Sequence, residues 1–72
     1  MIDRQLWQEH VAQAERHVAE GEQHVARQRE IVAELERDGH DAESARQLLK
    51  TLEVLLAMHI ADRDRLQSEL ED

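Results

Sequence analysis

The sequence predicts an all-α protein: an antiparallel two-helix hairpin of coiled-coil type that dimerises into a four-helix bundle. Three observations predict it. Proline is absent and glycine occurs twice in 72 residues, while Ala, Leu, Glu, Gln and Arg, all good helix formers, dominate. Apolar residues recur at helical spacing in two long blocks, with no alternating β-branched or aromatic run that would make a strand. One break separates the blocks, Glu36-Arg37-Asp38-Gly39-His40-Asp41. The chain therefore reads as a single helical hairpin over residues 1–72, with helix at 4–38, turn at 39–41 and helix at 42–70.

Helix one opens at Asp3, whose carboxylate suits an N-cap that accepts from free first-turn amides. Ile2 and Trp7 then occupy the two positions of a hydrophobic staple. From residue 10 the chain repeats every seven residues: His10-Val11-Ala12, His17-Val18-Ala19, His24-Val25-Ala26, Ile31-Val32-Ala33. With Val11, Val18, Val25 and Val32 at position a, position d holds Trp7, Ala14, Gly21, Gln28 and Leu35. Position e holds Glu15, Glu22, Arg29 and Glu36, and position g holds His10, His17, His24 and Ile31. A strict heptad keeps one seam facing a partner and implies a left-handed supercoil. The d residues are small or polar in the middle. A mid-helix Gly costs about 1 kcal/mol relative to Ala, so Gly21 is expected where a bulky side chain crosses from another helix. Gln28 at d is expected to fix register or partner choice.

At the break, Gly39 suits the left-handed C′ position that ends a helix, and Asp41 suits the N-cap of the next, with Glu43 favouring its positive end. So short a link forces neighbouring antiparallel helices. Residues whose numbers sum to about 80 should then face each other, by the antiparallel geometry of a tight helical hairpin. Leu35 meets Ala45, Gln28 meets Leu52, Val25 meets Leu55 or Leu56, Gly21 meets His59, Ala14 meets Leu66, and Trp7 lies by the C-terminus.

Helix two carries a seam of Ala45, Leu49, Leu52, Leu56, His59, Arg63, Leu66 and Leu70. Leu48, Val54, Leu55, Met58 and Ile60 add apolar surface beside it. One partner helix cannot cover so wide a face. Each helix is about 45–50 Å long at 1.5 Å per residue, and a hairpin of that length has almost no interior. Two hairpins packed together bury the surplus, and a two-fold dimer is the commonest solution. The expected oligomer interface is Leu48, Leu52, Leu55, Met58 and His59.

Composition narrows the function classes. No Cys is present, so disulfides and thiolate metal sites are excluded. Asp and Glu number 17 against 9 Lys and Arg, a net charge of −8, which repels phosphate backbones and anionic lipid. The most apolar window, Leu48 to Ala61, is shorter than a membrane span and carries Lys50 and Glu53. No positive n-region precedes an apolar stretch, so no signal peptide is expected, and a cytoplasmic location is. Neither nucleic acid nor membrane is an expected partner.

Few residues carry chemistry. His10, His17 and His24 share a face, but neighbours in that row are about 10 Å apart, too far for two to ligate one zinc ion within the helix. His59 can approach His17 or His24 across the hairpin, and a dimer doubles that set. Neither HExxH nor the Glu-x-x-His pattern of di-iron bundles occurs. No metal set or cofactor is assigned. The bland reading is a row of half-exposed histidines flanking the seam. Arg63 at the seam reads as a stem over apolar surface with its head at solvent or a carboxylate. Arg27, Arg29 and Arg37 form a small basic area of the kind that is usually only solvated. Ser44, Thr51 and Ser68 are the only hydroxyl side chains, and none stands in a nucleophile constellation. The chain is not expected to be an enzyme.

Ile31-Val32-Ala33-Glu34-Leu35-Glu36-Arg37-Asp38-Gly39-His40-Asp41 and His59-Ile60-Ala61-Asp62-Arg63-Asp64-Arg65-Leu66 resemble a family of short α-proteobacterial proteins, rhizobial in type, of unknown function. The resemblance spans His17 to Leu70 and implies a helical hairpin but no site residues. In architecture alone the hairpin is similar to the Rop family of plasmid RNA-binding hairpins, which dimerise into a four-helix bundle; no sequence motif matches, and fold does not transfer function. The leading expectation is a small non-enzymatic structural or protein-interaction module, homodimeric, open to a further protein partner. A Rop-like nucleic-acid-binding regulator and a histidine-based metal or pH-responsive sensor are the alternatives.

Overall fold

The computed structural model describes residues 3–71. Two helices make up the fold, α1 at Arg4–Arg37 and α2 at Glu43–Glu71. They lie antiparallel in a rod of 57 × 14 × 13 Å. No strand occurs among the described residues. The protein is an all-α helical hairpin.

Asp3 caps α1 as its sequence position implies. Its backbone is extended, its side chain accepts from the amides of Gln5 at 3.0 Å and Leu6 at 3.3 Å, and its carbonyl takes the Trp7 amide at 2.9 Å. Ile2, the other half of the expected staple, lies outside the described residues. Trp7 packs against the cluster of Val11, Ala14 and Leu66, and its Nε1 donates to the Leu66 carbonyl at 3.0 Å. Arg4 donates to the Leu70 carbonyl at 3.5 Å. A cation sits poorly at the start of its own helix, but here it meets the negative end of α2, whose last turn has no basic residue.

The turn is a Schellman motif. Gly39 has φ +75°; its amide donates to the Glu36 carbonyl at 3.2 Å and the His40 amide to the Leu35 carbonyl at 2.8 Å. α1 thus ends at Arg37, one residue before the expected 38, with Asp38 as its C-cap. α2 starts at Glu43, one residue after the expected 42. The Asp41 side chain accepts from the Glu43 amide at 2.9 Å, while the backbone cap is Ala42, whose carbonyl takes the Arg46 amide at 2.8 Å. Ala42 is 2 % exposed.

Both seams lie where the heptad puts them. All four a-position valines are buried, as are Ala14 and Gln28 at d; Trp7, Gly21 and Leu35 are half-buried. On α2, Leu66 is buried and the other seven seam residues are half-buried. Gln28 is polar but not orphaned: Nε2 donates to the Ala45 carbonyl at 3.0 Å.

The register follows the expected one in part: Ala14 packs with Leu66 as the pairing rule has it, while the pairing at Gly21 is displaced. Gly21 faces Leu56, not His59: a Cβ built on Gly21 lies 3.1 Å from Leu56 Cδ1. The Gln28 amide donates to the Ala45 carbonyl, and Trp7 lies by the C-terminal end of α2 as expected, packed with Leu66 and Leu70. At Gly21 the shift is about one helical turn, three residues. Residues 40–42 are outside both helices. Non-helical chain climbs up to about 3.3 Å per residue against 1.5 Å in a helix. A few such residues are enough to move a facing pair by several ångströms along the axis.

Candidate functional site

The hairpin has two unlike flanks, because positions e and g lie on opposite sides of an a/d seam. The e flank is ionic. Arg29 pairs with Glu53 at 3.2 Å and Glu36 with Arg46 at 3.2 Å, both across the two helices. These pairs are well exposed, and such bridges contribute only about 0–1 kcal/mol each.

The g flank carries histidine and leucine. A groove of about 110 Å³ runs between the helices there, walled by His17 and His24 of α1 and by Leu52, Leu55 and His59 of α2, with Gly21 and Leu56 beneath. The missing side chain at Gly21 leaves the space. The His17 and His59 rings lie 5.3 Å apart between centroids, with planes at 56°. Along α2, Leu48, Leu52, Leu55 and His59 follow each other at four, three and four residues, so they form one stripe. Met58 stands three residues beyond Leu55 on the outer side. Leu48 is 49 % exposed, Leu55 45 % and Met58 62 %; Leu52 and His59 are half-buried against α1. All five residues of the expected interface thus share the g side or its edge. Val54 and Leu6 are also exposed.

A second groove follows toward the chain ends, between Trp7, His10 and His17 on α1 and Asp62, Arg65 and Leu66 on α2. Trp7 and His10 meet edge to face at 5.8 Å. Arg65 pairs with Asp62 at 2.7 Å, and the hydrogen bond it donates to that carboxylate makes the guanidinium hold its proton more tightly than usual. Arg63 behaves as its seam position implies, half-buried along its stem with its head on Asp64 at 3.0 Å. Arg27 is paired with Glu30 and Glu34 and Arg29 with Glu53, so the small basic area on α1 is largely neutralised.

Sequence spacing identified the rows and allowed His59 to approach His17 or His24, and the structure brings it to His17. That the histidine row of α1 flanks the leucine stripe of α2 follows from the handedness of the hairpin, and the turn alone does not reveal it. No group of three or more His, Asp or Glu side chains placed to hold a metal ion occurs among the described residues. No helix among them is long and apolar enough to cross a membrane. No protein-family model matches the chain, and neither curated proteins nor solved structures include a match.

Proposed function

We propose that this chain is a small non-enzymatic interaction module of the cytoplasm, which pairs with a second copy through its g flank to form a four-helix bundle. The observation that carries this reading is the leucine stripe. Leu48, Leu55 and Met58 are each about half exposed or more, contiguous, and free of the ion pairs that line the other flank. The area fits the same reading. The hairpin exposes 5481 Å², whereas a compact monomer of 8.4 kDa exposes about 4,600 Å². The excess of about 900 Å² is close to the roughly 800 Å² that each partner buries in a standard interface. Phosphate binding is disfavoured by the net charge of −8 and by the pairing of Arg27 and Arg29.

Leu55→Asp tests this directly. Leu55 is outside the seam between the helices, so the change leaves the hairpin folded. A symmetric dimer loses two buried leucines of about 1.5–3 kcal/mol each, a rise in dissociation constant of roughly a hundredfold or more. Ala19→Asp, an exposed site away from the g flank, leaves association unchanged. Equal sedimentation of both variants and the parent chain would contradict the assignment.

A further inference from the structure

Met58 is the most exposed of the large apolar side chains among the described residues, at 62 %. Its surface neighbours on α2 are Val54 and Leu55, four and three residues back, themselves 59 % and 45 % exposed. The thioether therefore stands within the apolar stretch of the g flank. Leu56 and His59 belong to the seam and Met58 does not, so a change at Met58 leaves the packing between the helices in place. The chain has no Cys and two Met, and Met1 lies outside the described residues. Met58 is thus the one sulfur on this face.

A thioether is oxidised to a sulfoxide, which turns a flexible apolar side chain into a polar one and disrupts contacts built on it. A polar S–O group buried in an apolar contact without a hydrogen-bond partner opposes association.

We propose that Met58 is a redox switch on the g-flank dimer: peroxide oxidises the thioether of the free chain, and the sulfoxide form no longer pairs. In that step the sulfur gives an electron pair to one peroxide oxygen. The O–O bond breaks, the S–O bond forms and, from hydrogen peroxide, water leaves. This rests on the g-flank dimer proposed above. Met58 is open in the single hairpin and covered in the dimer, so oxidation draws on the free chain and traps it by mass action.

The test adds hydrogen peroxide to the full chain, locates the oxygen by peptide mass mapping and follows mass by sedimentation and helicity by circular dichroism. Oxygen on Met58 should weaken association at least tenfold, since two apolar side chains per dimer lose their favourable burial. A methionine sulfoxide reductase supplied with a dithiol, which removes the oxygen as water, should restore the dimer. Oxidation should slow as chain concentration rises through the dissociation constant. Met58→Leu should dimerise and keep its mass in peroxide, and Met58→Gln should associate at least tenfold more weakly with no oxidant present. A dimer that keeps its mass with oxygen on Met58, or that oxidises equally fast dilute and concentrated, overturns this inference and leaves the dimer standing. Dissociation of Met58→Leu by peroxide assigns the effect to Met1 or Trp7 and also overturns it. A chain monomeric before any oxidant is added overturns both.

Discussion

Gly21 offers a test of how closely the two helices approach. In Gly21→Ala the new Cβ gains about 1 kcal/mol of helix propensity. It also arrives 3.1 Å from Leu56 Cδ1 and 3.7 Å from Leu56 Cβ. Only the first contact is short of the ordinary 3.5–4.0 Å between carbons. The Leu56 methyl must move by roughly half an ångström, and a turn of about 20° around its last torsion achieves this at no more than about 0.5 kcal/mol. The open groove beside Leu56 gives it somewhere to go. Gly21→Ala should therefore stabilise the protein by about 0.5 kcal/mol, or roughly 2–4 °C in melting temperature for a domain of this size. Gly21→Leu gains similar propensity but drives a branched chain into Leu56, and overpacking of that kind costs about 1–3 kcal/mol. The predicted order is Ala above Gly above Leu. Thermal and urea unfolding followed by circular dichroism, at one protein concentration, measures it. A Gly21→Leu chain as stable as the parent would show that Leu56 does not cross here. A loss of 1 kcal/mol or more in Gly21→Ala would show that the helices cannot yield.

Two further substitutions probe the turn and the polar seam. Gly39→Ala should cost about 1–2 kcal/mol in urea unfolding, because Gly39 has φ +75° with nothing within 4 Å of an added Cβ, so the whole effect is left-handed backbone strain; an unchanged midpoint would refute the Schellman assignment. Gln28→Ala removes the hydrogen bond to the Ala45 carbonyl and its packing, and should destabilise by about 1–2 kcal/mol, whereas Gln28→Met keeps the volume and should stay within about 1 kcal/mol of the parent; equal losses in both would show that the hydrogen bond, not the packing, matters there.

The seams were legible in the sequence because burial follows the period of the helix. Val11, Val18, Val25 and Val32 declare position a by exact repetition, and all four are buried. The caps at Asp3 and Gly39 were legible because each needs a particular side chain or backbone conformation. Register was legible only in part. It depends on how far residues 40–42 climb beside α1, a backbone property that Asp41 and Ala42 do not encode by type. The sum rule placed His59 opposite Gly21; the two line one groove, and the His59 ring lies against His17, one of the two histidines the sequence allowed it to approach. The histidine row and the leucine stripe were each visible in sequence, but their meeting on one flank required the hand of the hairpin.

The most direct test of the whole picture is the molar mass of the unmodified chain at sedimentation equilibrium, with helicity measured on the same samples. A dimer predicts twice 8.4 kDa at micromolar concentration, falling toward one chain on dilution as helicity declines. A mass of one chain with full helicity across that range would contradict it, since Leu48, Leu55 and Met58 would then lie open to water with nothing to cover them.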